Sequence, residues 1–208
     1  MSDPGLRIFR RVDNQEVNAS LREGIKPEAL LAIEQQWGPY RVKFKQELLA
    51  AGISKSQWPE SLHWSWAKKI PELKLLESSG FALDHGGQCQ GIMLTKSASY
   101  QSVLDKGKPL VYIDYLEVAP WNWKIVPLGR KGDFRGVGSV LFAIAIQQSF
   151  DESFHGRVGL HALPQAEAFY AGACGMQDHG PDPQKQNLRY FELSQKQAEQ
   201  HLKDGGGK

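Results

Sequence analysis

Apolar residues recur along the chain with two different periods, and the change of period divides it. In the first third they fall three and four residues apart. Leu30, Leu31, Ile33 and Trp37 mark one face of a helix that opens on Pro27, whose missing N–H is no loss in a first turn, and that Gly38-Pro39 is expected to end. A second helix follows, with Phe44, Leu48 and Leu49 on its face and Gly52 placed for a left-handed cap. After Pro59 the stretch ESLHWSWAKKI reads as a short helix stopped before Pro71. Ahead of all three, LRIFRRVD (residues 6–13) alternates imperfectly and predicts a first strand, followed by a polar loop.

From about residue 80 the runs shorten and β-branched and aromatic residues take over. GFALDHGGQCQGIMLTKS sets two apolar runs around His85-Gly86-Gly87-Gln88, which predicts a hairpin because Gly-Gly supplies the positive φ of a tight turn. PLVYIDYLEVAP predicts a central strand ended by Pro120. A helix is expected over about residues 136–151. Val137, Val140, Leu141 and Ile144 form its stripe, and Phe142 and Ile146 lie off it, so both flanks should be covered. RVGLHAL is a further strand, PQAEAFYAGAC a helix opening on Pro164, and LRYFELS a final strand. The order of helices, hairpin, strand, helix, strand, helix and strand is an α/β pattern.

Composition narrows the class. With 208 residues, 41% hydrophobic and 23% charged, the chain has ordinary globular usage, and one domain over residues 1–200 with a loose tail at 201–208 is expected. A formal charge of +2 without a dense Lys/Arg block excludes a broad electrostatic footprint, so no nucleic-acid partner is expected. No apolar run reaches the length of a membrane span or a signal segment, and Cys89 and Cys174 have no paired-cysteine spacing. A cytoplasmic protein without membrane contact is the expectation. Cys174 lacks the surroundings of a nucleophile and reads as a small core residue. His63, His85 and His155 lack ligand spacing, so no metal is expected.

The candidate chemistry starts at RGVGSVLF. Gly136 and Gly138 stand where a helix begins, so bare backbone N–H groups and the positive end of the helix dipole can meet a phosphate, and Arg130, Lys131 and Arg135 flank the turn. The turn lacks both the GK[ST] ending of a P-loop and the third glycine of a dinucleotide fingerprint. Taken alone it fits a phosphate cradle and a close-packing device equally well.

In order along residues 80–194, VYIDYLEVAP, RGVGSVLF and RVGLHALPQAEAFYAGACGM resemble the GNAT superfamily of N-acetyltransferases. The resemblance implies a mixed, mostly antiparallel sheet, splayed at its middle and flanked by helices, with a helical N-terminal segment over about residues 20–78. It further implies acetyl-CoA as co-substrate, with Arg130, Arg135, Gly136, Val137, Gly138 and Ser139 around its pyrophosphate and the Val118 N–H at the acetyl oxygen. Asp133 stands at the motif position usually held by Gln or Arg, Leu163 at one usually held by Asn, and the connection carrying WNWKIVPLG is longer than usual.

The implied activity is acetyl transfer by direct attack of a primary amine on a small molecule, a peptide or an aminoacyl group. An attacking ammonium must first lose a proton. Glu117 is the first candidate base, with Asp114 and His161 behind it. Glu117 and Asp114, three residues apart, lie on opposite faces of a regular strand and share a site only if a bulge intervenes. Tyr170 matches the tyrosine that the family uses as acid toward the leaving thiolate. Trp121 and Trp123, joined by Trp64 and Trp66, read either as an acceptor wall with His161 or as pins for the long connection. A silent acyl-CoA sensor and a toxin-like acetyltransferase of aminoacyl-tRNA are the competing functions, and monomer and homodimer both stay open.

Overall fold

In the computed structural model, which describes residues 5–203, the chain opens with the short strands β1 (Arg7–Arg10), β2 (Gln15–Asn18) and β3 (Ser20–Glu23). Next come α1 (Pro27–Ala50), a series of 3-10 turns, and the one-turn helix α2 (Ile70–Leu73). β4 (Ser78–His85), β5 (Gln88–Gln101) and β6 (Pro109–Val118) form the middle. β7 (Phe134–Arg135), α3 (Val137–Asp151), β8 (Val158–Ala162), β9 (Gln177–Asp182), β10 (Leu188–Leu193) and α4 (Gln195–Lys203) complete the described residues.

Seven strands join in the order β3-β4-β5-β6-β8-β10-β9, and every neighbouring pair runs antiparallel except β6 and β8. This is the mixed, mostly antiparallel sheet that was expected. A second small sheet, β2-β1-β7, ties the N-terminal strands to the chain just before α3. The hairpin forms where predicted, with His85 opposite Gln88 and Gly86 and Gly87 at φ 59° and 74°. α3 covers one face, burying Val137, Leu141, Phe142, Ala145 and Ile146 with Met93, Val111, Ile113 and Leu160. α1 covers the other, where Leu30, Ile33 and Trp37 cluster with Ile92, Leu94 and Trp66. α3 can approach so closely because β5 carries Gly91, where a Cβ would come 2.6 Å from the Val137 side chain.

The two expected N-terminal helices are one. α1 runs through Gly38-Pro39, and its buried positions Leu30, Ile33, Trp37, Arg41, Phe44 and Leu48 continue at intervals of three and four. Interior proline costs about 3 kcal/mol, whereas burying Phe44 and Leu48 returns about 1.5–3 kcal/mol each, so the helix continues with Pro39 on its exposed side. The expected helix after Pro59 is instead 3-10 turns at Glu60–His63 and Ala67–Lys69 followed by α2, whose first turn contains Pro71. β3 occupies the start of the segment expected to be helical. The region after Pro164 is a 3-10 turn, Pro164–Ala166, and one wide π turn, Phe169–Ala173. β2, β3, β7, β9 and α4 were not expected. The first tail residues, 201–203, close α4, and 204–208 lie outside the described residues. No helix among the described residues is long and apolar enough to cross a membrane.

Candidate functional site

The site begins where the sheet opens. β6 and β8 pair only from Val111 opposite Val158 to Ile113 opposite Leu160. Beyond this point β6 stays with β5, and His161 and Ala162 stay with β10. The cause is a bulge. Leu94 faces Tyr115 and Thr95 faces Ile113, so Asp114 is an extra residue that bends β6 away from β8. The Ala119 N–H donates to Gln90 O at 2.8 Å, and the alternation of an antiparallel ladder then turns the N–H groups of Leu116 and Val118 into the gap, where no strand meets them. The bulge also resets the side chains. Ile113, Leu116 and Val118 pack toward α3, whereas Tyr115 and Glu117 face α1. Asp114 shares that second face, through its ion pair with Lys96, so the condition for Asp114 and Glu117 to lie on one side is met.

Two cavities meet in this gap and share Leu116, Leu163, Ala166 and Tyr170. The first, of about 530 Å³, is bounded by Val118, Trp123 and the turn from Arg135 to Gly138. Gly136 caps α3 at φ 85°, a conformation that side chains rarely adopt, and its carbonyl accepts from the Val140 N–H at 2.9 Å. The first-turn N–H groups after it have no intrahelical partner and aim at an anion. At Gly138 an added Cβ would meet only the Phe169 ring, at 3.5 Å. Arg135 lines the cavity, stacked 4.4 Å from Phe9 and bonded to Asn14 Oδ1 at 3.0 Å. Arg11 lines it too, brought there by the pairing of β1 with β7, a neighbourhood that no local pattern announces. Arg130 is not at the turn. It pairs with Glu47 at 3.4 Å and lies 4.5 Å over Phe44, against α1. Ser139 sits in the first turn of α3 without lining the cavity, and Asp133 is exposed outside it.

The second cavity, of about 690 Å³, lies on the far side of Tyr170, between β6, β8 and the 3-10 turns before α2. Of the candidate bases, Asp114 and His161 line this cavity, whereas Glu117 lines the first one and is 3% exposed. Its Oε2 accepts from Arg41 Nη2 and Trp66 Nε1, both at 2.7 Å, and its Oε1 is buried without a partner among the described residues. Burial pushes its carboxyl pKa up, against the opposing pull of Arg41, Ser61 and Trp66. Asp114 is held by Lys96 at 2.8 Å. His161 lies in a chain, with Tyr112 OH 2.8 Å from Nδ1 and Asp182 Oδ2 3.0 Å from Nε2, and burial lowers its pKa while Asp182 draws it back. A neutral ring that donates to Asp182 and accepts from Tyr112 satisfies both bonds.

Tyr170 sits in the π turn among the rings of Phe142, Phe169 and Phe191, and burial raises its pKa. Its hydroxyl makes no hydrogen bond among the described residues and stands at the junction of the cavities. The tryptophans divide. Trp121 donates to Gln90 Oε1 at 2.8 Å, packs edge-on against Trp37, and lines neither cavity, so it pins the long connection to α1. Trp123 lines the first cavity under Arg41, and Trp64 lines the second beside Tyr115. Cys174 is buried, which raises its thiol pKa. No group of His, Cys, Asp and Glu among the described residues could hold a metal.

Solved structures resemble this fold. RimJ of Mycobacterium smegmatis, in complex with CoA-disulfide, superposes with a TM-score of 0.55 at 12% identity over 97% of this chain and 94% of that one. An acetyltransferase of the GNAT family from Listeria monocytogenes 4b F2365 gives 0.51 at 14% identity over 90% and 99%. The chain has the GNAT fold. No family model matches the sequence, and no curated protein matches it. In this GNAT fold the gap between β6 and β8 separates the glycine turn from the second cavity, and Tyr170 stands between them.

Proposed function

We propose that the protein transfers the acetyl group of acetyl-CoA to a primary amine by direct attack. The observation that carries this reading is the junction itself, with an anion-ready helix start on one side, a separate cavity on the other, and an uncommitted tyrosine hydroxyl where they meet. The residues present fit the co-substrate. The N–H groups after Gly136, with Arg11 and Arg135 on the rim, suit a pyrophosphate, and the parted strands leave a channel of backbone donors for an extended amide-bearing arm.

Val118 N–H is turned to donate to the acetyl oxygen as negative charge develops there. Glu117 is the candidate base in this reading: Oε2 is fixed by Arg41 and Trp66, and Oε1, buried and without a partner among the described residues, is left to accept the proton, which reaches it from the amine through water because Glu117 lines the first cavity and not the second. The raised pKa of this carboxyl brings it nearer that of the proton it must accept. Tyr170 then returns a proton to the departing thiolate.

Thiol release from acetyl-CoA, measured against panels of small amines, peptides and aminoacyl compounds, tests the reading. Release should require an amine. Tyr170→Phe keeps the ring among its three aromatic neighbours and loses only the hydroxyl, so kcat should fall by about 10² while acetyl-CoA affinity stays within about twofold. Amine-independent release, or wild-type turnover in Tyr170→Phe, contradicts it.

A further inference from the structure

The second cavity holds a charge that its walls leave unbalanced. Lys69, at the end of the turn before α2, reaches over β6. Its Nζ lies 3.2 Å from the centroid of the Tyr115 ring and 4.5 Å from that of Trp64. Among the described residues it makes no ion pair, and its ammonium donates no hydrogen bond. The two acids that line the same cavity, Glu72 and Asp114, are both bound by Lys96, at 3.1 and 2.8 Å. Lys68 and Lys185 add positive charge to the lining. Ring faces stabilise a cation by about 0.5–2 kcal/mol but accept few of its hydrogen bonds, so donors on Lys69 are left for whatever enters.

From this arrangement we infer that the acceptor is an amine that also carries an anionic group, carboxylate or phosphate, and that Lys69 binds that group. The inference rests on the acetyl-transfer reading of the cavity. A second cation on the acceptor would meet Lys69, Lys68 and Lys185 and be repelled, which selects against polyamines. Burial already strains the Lys69 charge, lowering its pKa to about 8. Glu117 and Asp114 on β6 and Glu72 on α2 favour the cation, and Arg41 on α1 opposes it. An arriving anion strengthens the favourable side, so binding near pH 8 takes up a proton.

The test uses γ-aminobutyrate, butylamine and putrescine, which share a four-carbon chain and differ in the charge at its far end. Each is titrated calorimetrically into the full chain saturated with CoA, at pH 8, in buffers of different ionisation heat. γ-Aminobutyrate should bind about tenfold or more tighter than butylamine, with putrescine weakest, and with net proton uptake. Phosphoethanolamine against ethanolamine reads the same preference for phosphate, and the larger ratio names the anion. Lys69→Met should erase both preference and uptake, whereas Lys69→Arg should keep the preference and lose the uptake. Equal binding of the three amines, no binding of any, tightest binding of putrescine, or a preference that survives Lys69→Met overturns the inference. Acetyl-CoA is titrated separately into the full chain free of CoA. If it fails to bind, the acetyl-transfer reading fails. If it binds and the amines are not discriminated, this inference alone fails.

Discussion

At the scale of single residues, the pairing of Glu117 with Arg41 fixes the geometry of the gap. Both are buried, 3% and 6% exposed, and Arg41 also donates to Ser61 O at 2.7 Å while lying over Trp37 and Trp123. A buried pair adds little net stability, but removing one partner strands the other and costs about 3–5 kcal/mol. Arg41→Met should therefore lose about that much in urea unfolding at pH 7. The sign of the pH effect follows from Glu117. Without Arg41 its folded pKa rises further above the unfolded value of about 4.3, so the native state binds the extra proton, and the loss should be small below pH 4 and grow as pH rises. Adding Glu117→Leu to Arg41→Met should recover much of the loss. An equal loss at both pH values, with no recovery in the double variant, would assign the damage to lost packing. The same pair marks what the sequence made legible. Glu117, Tyr170 and the Gly136-Val137-Gly138 turn lie within short recognisable stretches and do line the gap. Arg11 and Lys69 reach it only through β1–β7 pairing and the turn before α2, and Arg130 beside the turn points away, because side-chain direction after a left-handed glycine does not follow from chain proximity.

At the scale of elements, α1 is the informative case. Its apolar stripe is interrupted in sequence by Arg41, which reads as a surface residue, and by Gly38-Pro39, which reads as a stop; once Glu117 neutralises Arg41, the stripe is continuous. Gly38 has open space around an added Cβ and ordinary φ, and Pro39 is exposed. Gly38→Ala should thus raise stability by about 1 kcal/mol, and Pro39→Ala by up to about 3 kcal/mol. Unfolding by urea measures both, and a fall in stability for either would mean that the bend at these residues serves the packing of α1. Strands with strong local grammar, β4 through β6, and α3 with its glycine-led start were predictable from pattern alone. β9 was not, because QDHGPD carries no alternation and lives by pairing with β10. The helices expected after Pro59 and Pro164 became 3-10 and π turns because the surfaces they cover, rather than their propensities, set their path.

At the scale of the whole molecule, one bulged residue divides the work. Asp114 parts β6 from β8, α3 holds the glycine turn on one side of the opening, and the turns before α2, with β8 and the turn between β9 and β10, build the cavity on the other. The account stands on the claim that the glycine turn is the coenzyme end of this opening. Gly138 tests it cleanly, since its φ is ordinary and a Cβ there meets only the Phe169 ring, so Gly138→Glu can fold while placing a carboxylate among the first-turn N–H groups. The measurement is calorimetric titration of acetyl-CoA into the wild-type protein and this variant, each checked for an unchanged melting transition. The account predicts saturable binding by the wild type and a loss of at least about 10² in affinity for Gly138→Glu, through charge reversal and filled space together. No binding by the wild type, or equal affinity in the folded variant, would contradict it.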